Sequence, residues 1–260
     1  MAFKLGDIVI DRIQYGMAED FDGNPLYVLS QLSEATINIT AESKEAKDKD
    51  GTLVKKFWQG KTGTFEAKNA MLNVDVMGST SGVNPEYATE SKTITMPRII
   101  TVNAGSTVTL TDFVDGSVTV SSYGANGTMG KFYTKGAEAS ATQFGITEAG
   151  ILTPPTDEGE TRYIVKYDRA VKDGVAVYNK ADKFPGTVKL TLKALCVDPC
   201  DADTLRACYI VLPSFQVSPE VSIGLQTDST LDYKGDLQVN YCSIDKTLYE
   251  FYYAAEDEEE

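Results

Sequence analysis

The stretch ATINITAESKEAKDKDGTLVKKFW, residues 35–58, sets the reading of the whole chain. Ala35, Ile37 and Ile39 alternate with Thr36, Asn38 and Thr40, the period of a strand that buries one face. Acidic and basic residues then mix from Ala41 to Gly51, and the segment ends in Asp50-Gly51, a pair suited to a hairpin turn because glycine takes positive φ readily. Leu53–Trp58 resumes a strand-like run. This pattern predicts a strand, a projecting charged loop and a returning strand.

The same period of two recurs along the chain, at Ile8–Ile13, Leu26–Leu29, Thr93–Val102, Thr107–Phe113, Gly116–Tyr123, Arg162–Tyr167, Thr187–Leu195, Cys208–Leu212, Glu220–Leu225, Leu237–Tyr241 and Leu248–Tyr253. These runs predict a mainly β protein. Pro97 interrupts Thr93–Val102 and cannot donate to a sheet ladder, so that strand is expected at an edge or a bulge. Helical signals are few. Asn69–Gly78 (NAMLNVDVMG) offers Asn69 as a cap, Met71, Val74 and Met77 at threefold spacing, and Gly78 as a terminator. The same residues also read as a continuation of the strand from Thr64, through Leu72, Val74 and Val76. Ala202–Ala207 is a second, weaker helical candidate. Residues 122–160 are dense in Gly, Ser, Ala and Thr, and they predict long connections around short strands such as Lys131–Thr134.

Composition bounds the chemistry. The 260 residues contain no His, so a Ser-His or Cys-His triad and a His-ligated metal centre are excluded. Net charge is −14, and five of the negative charges are Glu256, Asp257, Glu258, Glu259 and Glu260, which read as a solvated acidic tail. The body stays acidic without them, which argues against tight DNA binding. No apolar window is long enough to span a bilayer, and the opening MAFKLGDIVI lacks the apolar core of a signal peptide, so no stable membrane insertion is expected.

Local motifs give catalysis no foothold. Gly124–Lys131 (GANGTMGK) fails as a phosphate loop: Ala125 stands where the first Gly is needed, and Phe132 where a metal-binding Ser or Thr is needed. Asp198, Asp201 and Asp203 lack the EF-hand series and read as a polar turn. Cys196, Cys200, Cys208 and Cys242 offer four thiolates to a structural zinc, but the second pair lacks knuckle spacing. Buried or turn thiols are the preferred reading, with zinc and a disulfide as the alternatives. No cofactor is expected.

Three strings together resemble the tail tube proteins of tailed bacteriophages: residues 35–82, residues 179–198 (NKADKFPGTVKLTLKALCVD), and residues 225–253 with LQTDSTLDYKGDLQVNYC and the closing KTLYEFYY. The resemblance implies a β-sandwich-like or barrel-like fold with long antiparallel strands, one short helix, and strands that form an inter-subunit barrel around a lumen. It implies a structural virion protein without enzymatic activity, polymerised as stacked hexameric rings into a tail tube through which the genome passes into the host. Expected partners are further copies of the chain, then tail sheath, tail terminator and baseplate proteins; DNA passes without specific binding. The protein would be made in the bacterial cytoplasm and reside in the virion tail. Residues 1–255 are expected as one tube domain with an extended or inserted region at about 105–176, followed by the acidic tail 256–260. Within this frame Glu42, Lys44, Glu45, Lys47, Asp48, Lys49 and Asp50, with the N-terminal arm Met1–Gly6, are expected to make the ring-to-ring contact. The competing reading is an immunoglobulin-like decoration or fibre protein that binds a host surface.

Overall fold

The computed structural model describes residues 7–30, 32–124, 126–199, 201–226, 230–239 and 245–258, with backbone only at 201–203 and 255–258. Within them the chain forms β1 (Val9–Glu19), β2 (Pro25–Leu29), β3 (Leu32–Lys47), β4 (Leu53–Asn69), α1 (Val74–Thr80), β5 (Glu86–Tyr87), β6 (Ile94–Asn103), β7 (Val108–Thr109), β8 (Thr119–Tyr123), β9 (Met129–Gly136), β10 (Gln143–Ile146), β11 (Ile151–Thr153), β12 (Arg162–Val171), β13 (Val175–Ala176), β14 (Thr187–Asp198), β15 (Asp201–Val217), β16 (Leu231–Leu237) and β17 (Glu250–Glu258). The protein is mainly β, as the alternation requires. It divides into two compact units, residues 1–85 with 177–260, and residues 86–176.

In the first unit the strands follow the order β2-β1-β14-β15-β16-β4-β3, with β17 paired to β15 off this path. Every pairing is antiparallel. β3, at one end of the path, comes back against β1 near the other, so the sheet curls into a nearly closed barrel. Its interior holds an aromatic cluster. Phe65 meets Phe215 edge-on at 5.7 Å, and Tyr233 lies 5.6 Å from Phe215 and 6.2 Å from Tyr27, with the Tyr27 and Tyr233 hydroxyls 2.7 Å apart. The edge-to-face pairs Phe65–Phe215 and Tyr27–Tyr233 add about 0.5–1.5 kcal/mol each beyond their burial, and Phe215–Tyr233 is tilted. Leu190, Leu192, Leu212 and Leu231 complete the core, and Val76 of α1 packs against it.

Two hairpins of this unit close through one turn chemistry. In Asp20-Phe21-Asp22-Gly23-Asn24 and in Asp48-Lys49-Asp50-Gly51-Thr52, the first Asp Oδ1 accepts the backbone N–H of the third and fifth residues. Glycine fourth in each takes φ of 86° or 83°, where any side chain would be strained. These bonds, led by the one from the Asn24 side chain, hold the Asp20 carboxyl below its ordinary range. The Asp50-Gly51 hairpin therefore forms where the sequence placed it.

The second unit is a sheet of order β6-β12-β8-β9-β10-β11-β7 over a core that includes Tyr133, Phe144, Tyr163, Val165 and Tyr167. β5 pairs with β13, which joins the two ends of the unit. Its polar tie is Asp157, which accepts from Lys131 Nζ at 2.8 Å and from Tyr133 Oη at 3.0 Å. Those two bonds, Lys131 first, hold the Asp157 carboxyl low, while burial first and Asp157 second push the Tyr133 phenol up. β6 pairs only along β12 among the described residues, so Pro97 does lie on an edge strand. The second unit spans Glu86–Ala176, and within it β6 joins β12.

Several local expectations change. β4 continues to Asn69, and the helix starts later, at Val74. Asn73 is its cap, with Oδ1 accepting from the N–H of Asp75 and Val76. Asn69 instead lies in the ladder opposite Leu32 and Leu231, and its Nδ2 donates to the Met71 carbonyl. Gly78 is inside the helix, where a Cβ would come within 2.8 Å of Pro85 and of the Val83 carbonyl; close packing, not termination, explains it. Ala202–Ala207 is strand: it lies within β15, whose Leu205, Arg206 and Ala207 pair with Val197, Cys196 and Leu195 of β14. The strand expected over Leu237–Tyr241 is Leu231–Leu237, with Leu231, Tyr233, Gly235 and Leu237 buried; residues 240 and 241 lie outside the described residues. Thr107–Phe113 reduces to the short β7, and Glu220–Leu225 to an isolated bridge at Ile223. The acidic tail is partly strand, since the backbone of Glu256–Glu258 continues β17.

Gly235 permits β16 to cross β15: a Cβ there would lie 2.1 Å from the Gln216 carbonyl oxygen and 2.7 Å from the Phe215 ring. Gly235→Ala is expected to cost at least about 3 kcal/mol in urea denaturation, because backbone must move to admit the methyl group. A loss under about 1 kcal/mol would contradict this packing. Alkaline stability is a second check. Burial pushes the Tyr27 and Tyr233 phenols above their ordinary value of 10.0. Their contribution is complete below pH 10 and is lost as pH rises above it, so tyrosinate absorbance from this pair should appear only together with loss of the folded circular dichroism signal.

Candidate assembly surface

The register of β3 on β4 runs from Leu32↔Asn69 to Lys47↔Leu53, but burial stops part-way along it. From Gly63 to Asn69 alternate residues of β4 face the core, whereas Leu53 to Thr62 are exposed on both faces. Residues 38–62 thus form an arm that extends beyond the packed sheet. A two-stranded hairpin is marginal alone in water, and its register here is inherited from the buried half of the same two strands.

The arm places all seven charged residues expected for assembly on one element. Glu42, Lys44, Glu45 and Lys47 lie on β3, and Asp48, Lys49 and Asp50 form the turn. Asp48 is occupied by the turn itself. Lys47 reaches Glu45 at 3.5 Å and Lys49 reaches Asp50 at 3.1 Å, exposed pairs worth little to stability. Met1–Gly6, expected to share the contact, lies outside the described residues.

Between these charges stand four residues that sequence reasoning treated as ordinary strand: Leu53, Val54, Phe57 and Trp58. Val54 is 67% exposed, Phe57 55% and Trp58 66%. Ser43 is opposite Trp58 and Glu45 opposite Lys56, so Val54, Lys56 and Trp58 share one face, and the Lys56 ammonium lies 4.7 Å from the Trp58 ring centre. Phe57, opposite Lys44, lies on the other face. The signal was present in LVKKFW, whose apolar residues come in adjacent pairs; a half-buried strand would space them by two.

A second feature lies where the curled sheet fails to close. Between β1 and β3 a cavity of about 580 Å³ opens, lined by Ile10, Ile13, Ala35, Ile37, Leu192 and Ile210 among others. Both lips are irregular. β1 shifts register between Ile10 and Arg12 and between Ile13 and Tyr15, and β3 shifts between Ser33 and Thr36, where Glu34 takes φ of 52°. Bulges re-aim a strand and interrupt pairing, which explains why β1 and β3 form no ladder among the described residues.

The thiols sit elsewhere. Cys196 and Cys208 are buried neighbours on β14 and β15, packed with Ala194 and against Ile8, Ile13 and Tyr253. Burial, the leading cause for both, raises the Cys196 thiol and pushes Cys208 up to about 12. This is the environment of small buried hydrophobes, where thiolate is disfavoured. Cys200 and Cys242, the other two members of the zinc candidate, lie outside the described residues. Asp198 is buried at the end of β14, while the side chains of Asp201 and Asp203 are likewise outside the description.

Comparison with known families finds one model, described as the YomU/Tube protein family, that matches residues 8–246, from the approach to β1 to just before β17. No curated protein matches the chain.

Because Phe57 and Trp58 are exposed among the described residues, Phe57→Ser and Trp58→Ser should each change the stability of the isolated subunit by no more than about 0.5 kcal/mol. Urea midpoints of the variants at low protein concentration measure this. A loss of about 2 kcal/mol or more would mean that the arm is held by the subunit itself.

Proposed function

This chain belongs to the YomU/Tube protein family, a family of phage-type tube proteins, and on that premise we propose that it polymerises as stacked hexameric rings into a phage tail tube through which the genome is ejected. The observation that supports polymerisation most directly is the arm. A hairpin that carries Val54, Phe57 and Trp58 in water on both faces gains free energy by burial against another molecule, about 25 cal/mol per Å² of apolar surface covered. Glu42, Lys44, Glu45, Lys47, Lys49 and Asp50 surround those residues and orient the contact between successive rings by charge.

On this reading the subunit performs no chemical step. Strands of neighbouring copies complete one another's open sheet edges around the lumen, which removes the hazard of an unpaired edge. The acidic balance of the chain disfavours adhesion of phosphate to the passage, so DNA moves through without specific binding. Sheath, terminator and baseplate proteins meet the outside and the two ends of such a tube, and its place is the virion tail.

Negative-stain microscopy of the purified chain tests the reading: rings or hollow filaments are expected, and a chain that stays monomeric at high concentration refutes it. Removal of residues 43–49 should leave folded subunits or rings that no longer stack, and tubes of normal length after that deletion would remove the arm from the contact. Trp58 is the only tryptophan, so its emission should shift to the blue on assembly.

A further inference from the structure

The arm and the seam differ in charge. Between Asn38 and Thr62 there are six lysines against four carboxylates, on a chain whose total charge is −14. The returning limb is more one-sided still, since Leu53–Thr62 contains Lys55, Lys56 and Lys61 and no acid. The seam has the reverse character. Its floor is apolar, with Ile13, Ile37 and Leu192, and its lips carry two carboxylates, Asp11 and Glu34, against one base, Arg12. Each carboxylate has a local partner in the free subunit, Arg12 at 2.8 Å and Lys68 at 2.5 Å, and both pairs are solvent-exposed, so they can exchange partners at little cost.

We infer that the seam between β1 and β3 receives the arm of a second copy, with Trp58 seated among Ile13, Ala35 and Ile37 and Lys56 directed to Glu34 and Asp11. The inference rests on the tube reading and deepens it by naming the receptor for the arm. Size agrees: a cavity of 580 Å³ is in the range that proteins use to enclose aromatic and aliphatic groups. The bulges agree as well, because they keep β1 and β3 from pairing with each other and hold the opening apart. Arm and seam are different surfaces of one chain, so the contact is heterologous. Each copy that donates an arm still offers a seam, and addition continues without closing into a dimer.

Site-specific photo-crosslinking in the full chain tests this. A photoreactive p-benzoylphenylalanine replaces Trp58 in one protein and Phe57 in another, and the irradiated polymers are mapped by mass spectrometry. Links from position 58 to residues 10–13 or 32–37 of a second copy are expected, with position 57 reaching other segments. As a second measurement, Ala35→Trp fills the seam and should raise the concentration needed for polymerisation at least about tenfold, a change equivalent to about 1.4 kcal/mol. Polymers of the unfilled chain whose position-58 links fall outside both lips overturn the inference and leave the tube reading intact. A wild-type chain that never polymerises overturns both.

Discussion

Backbone pairing along β15 is the constraint on which the larger unit depends. Buried N–H and C=O groups must find partners, and this 17-residue strand supplies them to three neighbours. β14 takes one edge along nearly its whole length. The other edge is divided: Phe215–Val217 pair with β16, and Arg206–Val211 with β17. At that division the sheet branches. One branch continues through β16 and β4 to β3 and curls back toward β1; the other ends at β17. Phe215 stands at the branch point and also in the aromatic cluster with Phe65 and Tyr233, so pairing and core packing impose the same geometry. Gly235 is the residue that lets the two strands approach there.

The direction of β4 follows from the same branch. Its inner half is held by β16 from Gly63↔Leu237 to Asn69↔Leu231, and its outer half pairs with β3 alone among the described residues. The arm is therefore a hydrogen-bonded continuation of a buried ladder, with its register set by the buried half. The curled sheet nevertheless stops short of closure at the β1–β3 seam. An open seam and a projecting arm are liabilities in an isolated protein, since both invite association. On the proposed tube reading, association is put to use, and the two features would give it a direction.

Much of this was legible in the residues. The strand-turn-strand excursion around Asp50-Gly51 could be read from alternation and from the turn pair, because hairpin chemistry is local. The edge position of β6 followed from Pro97, because a missing donor forbids a central place in a sheet. The helix was misplaced by a few residues. Asn69 and Asn73 are equally good caps in sequence, and only the ladder that claims Asn69 leaves the task to Asn73. The candidate assembly surface was half legible. Charges in residues 42–50 marked the projection, while Phe57 and Trp58 read only as part of a strand-like run, since burial is decided by what lies opposite.

By itself, then, the sequence determined the β class, the turns, the polar projecting segment and the absence of His chemistry, all of which depend on residues near one another in the chain or on composition alone. Only the tertiary structure decided which strands are neighbours, where the unit of residues 86–176 begins, and that the β1–β3 seam stays open. Those outcomes depend on long-range pairing, in which β15 chooses among partners hundreds of atoms away by register and side-chain fit. A one-residue slip would exchange the buried and exposed faces of a strand, and no local pattern records which of two similar strands will occupy a given edge.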